Sequence, residues 1–232
     1  MRLQLKSSFS GLVWVLFMVC FGCGSGKLVK SWSADGYDKN LGGVLVIARS
    51  PDLEVRKSFE DAMVQNLNKQ KIEAVSGLAR FPELVEKENI TPEESNAIKE
   101  KIESSGFRTV LLMALKDTKT TYVSTNKPSS GDNMIYDKGR YGVSFVDYYN
   151  VHSIEYLSKD INRYTDTDDN TDMNIQTNAS YNTYYLEALL YDLQRKNKEE
   201  LVSIYEVEYV EPRSTDDIRN HFTKTIAKQI SK

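Results

Sequence analysis

The chain has 232 residues, of which 40% are hydrophobic, 27% charged and 10% aromatic, a length and balance that fit one domain with appendages, large enough to bury a core. Disorder throughout is excluded, and the chain is too polar for a membrane channel. With 30 Lys and Arg against 33 Asp and Glu the net charge is −3, so nucleic acid, which binds through neutralised phosphates, is not an expected partner.

The amino terminus reads as an address. Arg2 and Lys6 precede an apolar run of about eleven residues, from Gly11 to Phe21, where a spanning helix needs ~20. A positive segment and a short apolar run mark a secretory signal over residues 1–22. The adjoining Phe21-Gly22-Cys23-Gly24-Ser25 resembles the lipobox of bacterial lipoproteins, with a small residue before the Cys; Cys20, where that box usually has Leu, departs from it. The resemblance implies cleavage before Cys23 and acylation of Cys23, and two or more acyl chains anchor a protein stably without spanning the bilayer. An ordinary secretory signal or a short buried helix are the competing readings. Cys20 and Cys23 are the only cysteines, so the processed chain would hold no disulfide. Gly24 in place of Asp after the Cys favours the outer membrane, facing the periplasm. Loss of residues 1–22 leaves 28 positive and 33 negative side chains, a net charge of −5, which anionic headgroups would not attract. Gly22 to Lys27 mimics a phosphate-binding loop, but Phe21 and Leu28 stand where Gly and Ser or Thr are required.

Residues 23–40 form the lipidated Cys and a flexible tether in this reading, and residues 41–232 a single α/β domain. Val44 to Ala48 is a continuous apolar run after two glycines, the mark of a strand buried on both faces. Ser50-Pro51-Asp52 opens a helix with Val55, Phe59, Ala62, Met63 and Leu67 at helical spacing. A short strand follows at Lys71 to Val75. Thr91 and Glu94 form a capping box with Pro92 at the first helical position, starting a helix with Ala97, Ile98 and Ile102 on its apolar face. Thr109 to Leu115 is a fully apolar strand placed at the sheet centre. From about 116 to 178 the chain turns polar and rich in Tyr, Asp and Asn, and is expected to be an insert with an edge strand or hairpin between Tyr141 and Leu157. Loops this long are uncommon unless functional. Tyr181 to Asp192 and Leu201 to Val210 are two further strands joined by a polar turn. Ser214 caps a closing helix with Ile218, Phe222, Ile226 and Ile230.

The fold class is therefore α/β (α+β), a mixed sheet with two to three packing helices in the order β-α-β-α-β, then a β-meander and a C-terminal helix. That order, with the Ser105 to Leu115 run, resembles a group of poorly characterised periplasmic lipoproteins. Their domain is similar to the amino-terminal domain of the Tol-system translocation protein, the curli secretion lipoprotein and the lipoprotein activators of penicillin-binding proteins. The resemblance covers about 41–115 and 179–232. It implies a scaffold or partner-binding module, with no catalytic residue to carry over.

A nucleophile needs a base within hydrogen-bond reach; His152 and His221 are the only histidines and neither lies beside a nucleophile motif, so both are read as structural, and no catalytic residue or cofactor is expected. Asp166, Asp168, Asn170 and Asp172 alternate as calcium ligands do, yet Thr171 and Thr177 occupy the places of the Gly and the bidentate Glu, which favours a solvated acidic loop. Thirteen of 14 tyrosines fall between Tyr122 and Tyr209. In a strand, neighbours point to opposite faces, so one of Tyr148 and Tyr149 can meet solvent, and exposed Tyr suits protein or glycan partners. Tyr141, Tyr148, Tyr149 and Tyr156 are the binding candidates. The expected function is a non-enzymatic, lipid-anchored envelope module with a protein partner; a small-ligand or lipid carrier is the alternative and an envelope hydrolase the third.

Overall fold

The strands of the computed structural model are β1 (Lys27–Ser33), β2 (Val44–Ala48), β3 (Ala74–Ser76), β4 (Thr109–Val123), β5 (Ala179–Asp192) and β6 (Leu201–Val210). Its helices are α1 (Leu53–Lys69), α2 (Gly77–Arg80), α3 (Pro92–Ser104), α4 (Phe145–Tyr149) and α5 (Thr215–Ile230). It describes residues 26–37, 41–50, 52–82, 91–123, 144–149, 179–195 and 199–232. Among the described residues, no helix is long and apolar enough to cross a membrane.

One mixed sheet runs in the order β1-β6-β5-β4-β2-β3. β2 is parallel to both β3 and β4, and the β4-β5-β6 meander and β1 are antiparallel. The expected α/β class is that of the structure, and its element order holds with β1 added in front and the short helices α2 and α4 inserted. Asp52 caps α1 by accepting from the amides of Glu54 and Val55, and Thr91 and Glu94 form the anticipated capping box on α3.

The two crossovers from β2 to β3 and from β3 to β4 travel in opposite directions along the sheet. Right-handed crossovers must then place their helices on opposite faces, and they do. Phe59, Met63 and Leu67 of α1 join Ile218, Phe222, Ile226 and Ile230 of α5 over Val44, Val46, Leu111, Met113, Leu186 and Val207. On the second face Ile102 of α3 and Phe145 and Tyr149 of α4 close over Leu45, Ile47, Val110, Leu112, Leu189 and Ile204. α1 and α5 are also tied by a 2.9 Å hydrogen bond from Asn66 Nδ2 to Thr223 Oγ1.

Four expectations need correction. The tether is not one: β1 lies within it and pairs with β6, and Ser33 Oγ meets Ser203 Oγ at 2.8 Å. Its exposure alternates, with Leu28, Lys30 and Trp32 half-buried, as on any edge strand with one side packed. β4 and β5 run on past Leu115 to Val123 and back from Ala179, because the Thr-rich stretch 118–121 is β-branched and pairs along its whole length; the insert is shorter than 116–178. Within it, residues 145–149 are helical rather than strand. β3 starts at Ala74, not Lys71, since Lys71 has a φ of 63° and turns the chain there.

At the end of the sheet where β5 finishes, Asp192 is buried and accepts two bonds from Arg108, Nε at 2.9 Å and Nη2 at 2.7 Å. Those bonds hold its carboxyl below the ordinary value of 3.8, against the opposing effect of burial. A depressed folded-state value contributes stability that is complete above the unfolded value and is lost as the pH falls through the folded one. The loss caused by Asp192→Asn in urea melts should accordingly shrink between about pH 5 and about pH 2. A loss independent of pH would show that the charge of Asp192 contributes nothing.

Candidate functional site

In an open α/β sheet, ligands favour the crevice beyond the carboxyl ends of strands where neighbouring crossovers diverge. Here that point lies between β2 and β4, whose preceding and following helices lie on opposite faces. Arg49 leaves the end of β2 there, its amide bonded to Met113 O at 2.9 Å, and alternation along β2 sends its side chain to the second face. The guanidinium carbon stands 4.3 Å from the centre of the Tyr149 ring, a cation–π distance.

The same rung continues across the sheet. Ala114 pairs with Glu187, Glu187 with Glu206, and Glu206 with Lys30. Two carboxylates directly opposite on neighbouring strands repel unless cations neutralise them. Lys116 supplies one, with Nζ 2.7 Å from Glu206 Oε2; the register shift between Leu115 and Asp117 is where Lys116 sits, and a bulge re-aims a side chain. Two rungs further, Tyr185 donates to Glu208 Oε1 at 3.1 Å. Glu187 is 0% and Glu206 7% exposed. Paired carboxylates are the apparatus of glycoside hydrolysis, but a pair buried to this degree, with one member held by Lys116, belongs to the sheet interior and does not face a substrate.

A second set of buried charges fixes the helices above this rung. Glu200, buried just before β6, accepts from Lys99 of α3 and from the Phe145 amide at 3.2 Å. It therefore binds α3 and opens α4 at once. The Phe145 ring meets Tyr191 edge-on at 5.6 Å and Tyr149 at 5.4 Å. Tyr149 is 1% exposed, so it fills the core and supplies no contact surface. That corrects its place among the binding candidates, and the reason is that α4 turns it onto the sheet.

Tyr141 and Tyr156 lie outside the described residues, as does the side chain of Tyr148. So do Cys23, His152 and the acidic set Asp166, Asp168, Asn170 and Asp172. Among the described residues no group of three or more His, Cys, Asp or Glu could hold a metal ion. His221 is half-buried on α5, with Nδ1 3.0 Å from Tyr209 Oη and the two rings 5.7 Å apart. Burial, then the nearby Lys224 charge, lower its pKa, and burial raises that of Tyr209, so both stay neutral near pH 7 as packing groups. Tyr184, Tyr191, Tyr205 and Tyr209 are all buried, whereas Tyr181 is exposed at the outer end of β5.

The sequence reading passed over Arg49, Lys116, Glu187 and Glu206. Glu187 carried a usable signal, since it is the one charged residue in the otherwise apolar stretch between Tyr184 and Tyr191.

No protein-family model matches the chain, and no characterised protein matches it in sequence. Among solved structures it is similar to a point variant of the PelC dodecamer from Paraburkholderia phytofirmans, at 9% identity and a TM-score of 0.43, over 89% of this chain and 98% of that one. The PelC dodecamer from the same organism in another crystal form gives 9% identity and a TM-score of 0.42, over 89% and 97%. At such values the likeness supports neither an activity nor an assembly for this chain.

Proposed function

We propose that the protein is a lipid-anchored, non-enzymatic module of a bacterial envelope, held through Cys23 to the outer membrane on its periplasmic side, that binds a protein partner through the tyrosine-rich insert. The observation that carries this reading is the β4–β5 ribbon. Its strands stay paired from Asp117 with Tyr185 out to Val123 with Ala179, beyond Leu115 and Leu186, the last apolar core pair. The insert leaves the sheet at the tip of that ribbon, and its described helix α4 returns over the second face, where Phe145 and Tyr149 pack. A paired ribbon carrying a long polar segment is a common way to display a binding surface. The buried Glu187–Glu206 rung suits a structural role better than a catalytic one. The family resemblance drawn from element order points the same way, toward scaffolds and partner-binding modules.

Two variants test the reading separately. Cys23→Ala should abolish acyl labelling and release the protein from the membrane fraction, and unchanged labelling would remove the anchor from the proposal. The combined variant Tyr141→Ser, Tyr148→Ser and Tyr156→Ser should keep the wild-type melting temperature while losing the crosslinks that wild type forms with envelope proteins. Undiminished crosslinking would show that recognition lies elsewhere.

A further inference from the structure

Four large hydrophobic side chains are exposed among the described residues: Val29 at 40%, Leu53 at 48%, Tyr181 at 37% and Val210 at 53%. Exposed apolar residues scattered singly are ordinary on a protein surface, but Leu53, Tyr181 and Val210 share one end of the sheet. β2 and β4 are parallel and both point to one end of the sheet. Leu53 opens α1 there, five residues past the end of β2 at Ala48. Val210 ends β6 at that same end, paired with Thr183, and Tyr181 lies two rungs farther out the ribbon, opposite Thr121. Val29 lies at the irregularity in β1, between Leu28 and Lys30.

The chain also enters at that end. Lys27 pairs with Glu208, and Gly26 lies flat against the Tyr209 ring, where an added Cβ would stand 2.3 Å from a ring carbon. Only glycine allows this approach, and it fixes where the preceding residues leave the domain. Cys23 is three residues upstream, a reach of about 10 Å even when fully extended.

We infer that this end of the sheet lies against the bilayer surface, with Leu53, Tyr181 and Val210 seated among the headgroups. The inference rests on the acyl anchor at Cys23 proposed above. An anchor on so short a lead holds the end from which it departs close to the membrane, and the apolar side chains lie at that end and not at the opposite one. Tyr suits the position in particular, since its ring is apolar and its hydroxyl stays wet. Lys27, Asp52, Glu54 and Glu211 put charges of both signs nearby, so the surface fits zwitterionic lipid and asks for no anionic headgroup.

The test uses the acylated full chain in vesicles of phosphatidylcholine and phosphatidylethanolamine. Cys23 is consumed by acylation and Cys20 leaves with the signal, so Leu53→Cys, Val210→Cys or Gln70→Cys gives one reactive thiol for a polarity-sensitive dye. Gln70, exposed at the far end of α1, is the reference. Nitroxide-labelled lipid should quench the dye several-fold more at 53 and 210 than at 70, with a blue-shifted emission at the first two. Equal quenching at all three positions in protein that floats with the vesicles would overturn the orientation and leave the anchor standing. Chain that carries no acyl group and stays behind when the vesicles float would overturn the anchor and this inference with it.

Discussion

Glu60→Ala should destabilise the domain by about 3–5 kcal/mol, the cost of removing one partner from a buried ion pair, read as a lower urea midpoint with an unchanged slope. Glu60 is fully buried on α1 and accepts four hydrogen bonds. Oε1 takes Arg56 Nε at 2.8 Å and the Ala48 amide at 3.1 Å, and Oε2 takes Ser76 Oγ at 2.6 Å and the Leu78 amide at 2.7 Å. Each donor has a structural reason to need it. β3 stops at Ser76, beside Val46, so the outward amide of Ala48 has no strand to bond. Leu78 stands in the first turn of α2, where amides lack intrahelical acceptors. Arg56 is 1% exposed, and a buried guanidinium without its carboxylate is costly. Arg56→Met should cost less than Glu60→Ala, because Glu60 would keep its three other donors. The reverse order would mean that the ion pair, and not the backbone amides, is what Glu60 supports.

The parts of the fold that the sequence made legible are those where local pattern and tertiary demand agree. β2, the apolar half of β4 and α5 are long enough and apolar enough that burial leaves no second reading, and Thr91, Pro92 and Glu94 write the start of α3 in the chain itself. β1 was hidden because Lys27 to Ser33 is polar and short and its partner β6 lies some 170 residues away, as the Ser33–Ser203 contact shows. Phe145 to Tyr149 has the composition of a strand, and its helix is imposed by contacts remote in sequence: Glu200 on its first amide and Tyr191 against its first ring. Propensity yields to tertiary context at segments of this size.

The candidate site was less legible for a different reason. A Glu in a helix or strand is ordinarily read as a solvent-facing position, since Glu is seldom fully buried unless paired. Glu60, Glu187, Glu200 and Glu206 are all buried, and the cations beside three of them, Arg56, Lys99 and Lys116, come from another element in two cases. No local spacing announces Lys99 with Glu200, 101 residues apart, or Lys116 with Glu206, 90 apart. The tyrosines misled in the opposite sense. Their clustering was visible, but strand alternation alone could not show that Tyr149 turns inward on a helix.

Leu112→Ala should cost about 2–5 kcal/mol, from lost transfer energy and from the cavity left behind. The residue lies in the interior of the sheet, paired with Ile47 of β2 on one side and Leu189 of β5 on the other, and it is fully buried in the cluster that α3 and α4 close. Neighbouring strands cannot collapse into the gap without breaking their ladders, so relaxation is limited and the loss should fall in the upper half of that range. Leu112→Met, which keeps the volume, should cost less than about 1.5 kcal/mol. The second face depends on few large side chains for its closure, Phe145, Tyr149 and Ile102 among them, so the Ala variant should also loosen α4, seen as faster amide exchange at Phe145. A loss within about half a kilocalorie, with the Phe145 amide still protected, would mean that α3 and α4 do not seal this face.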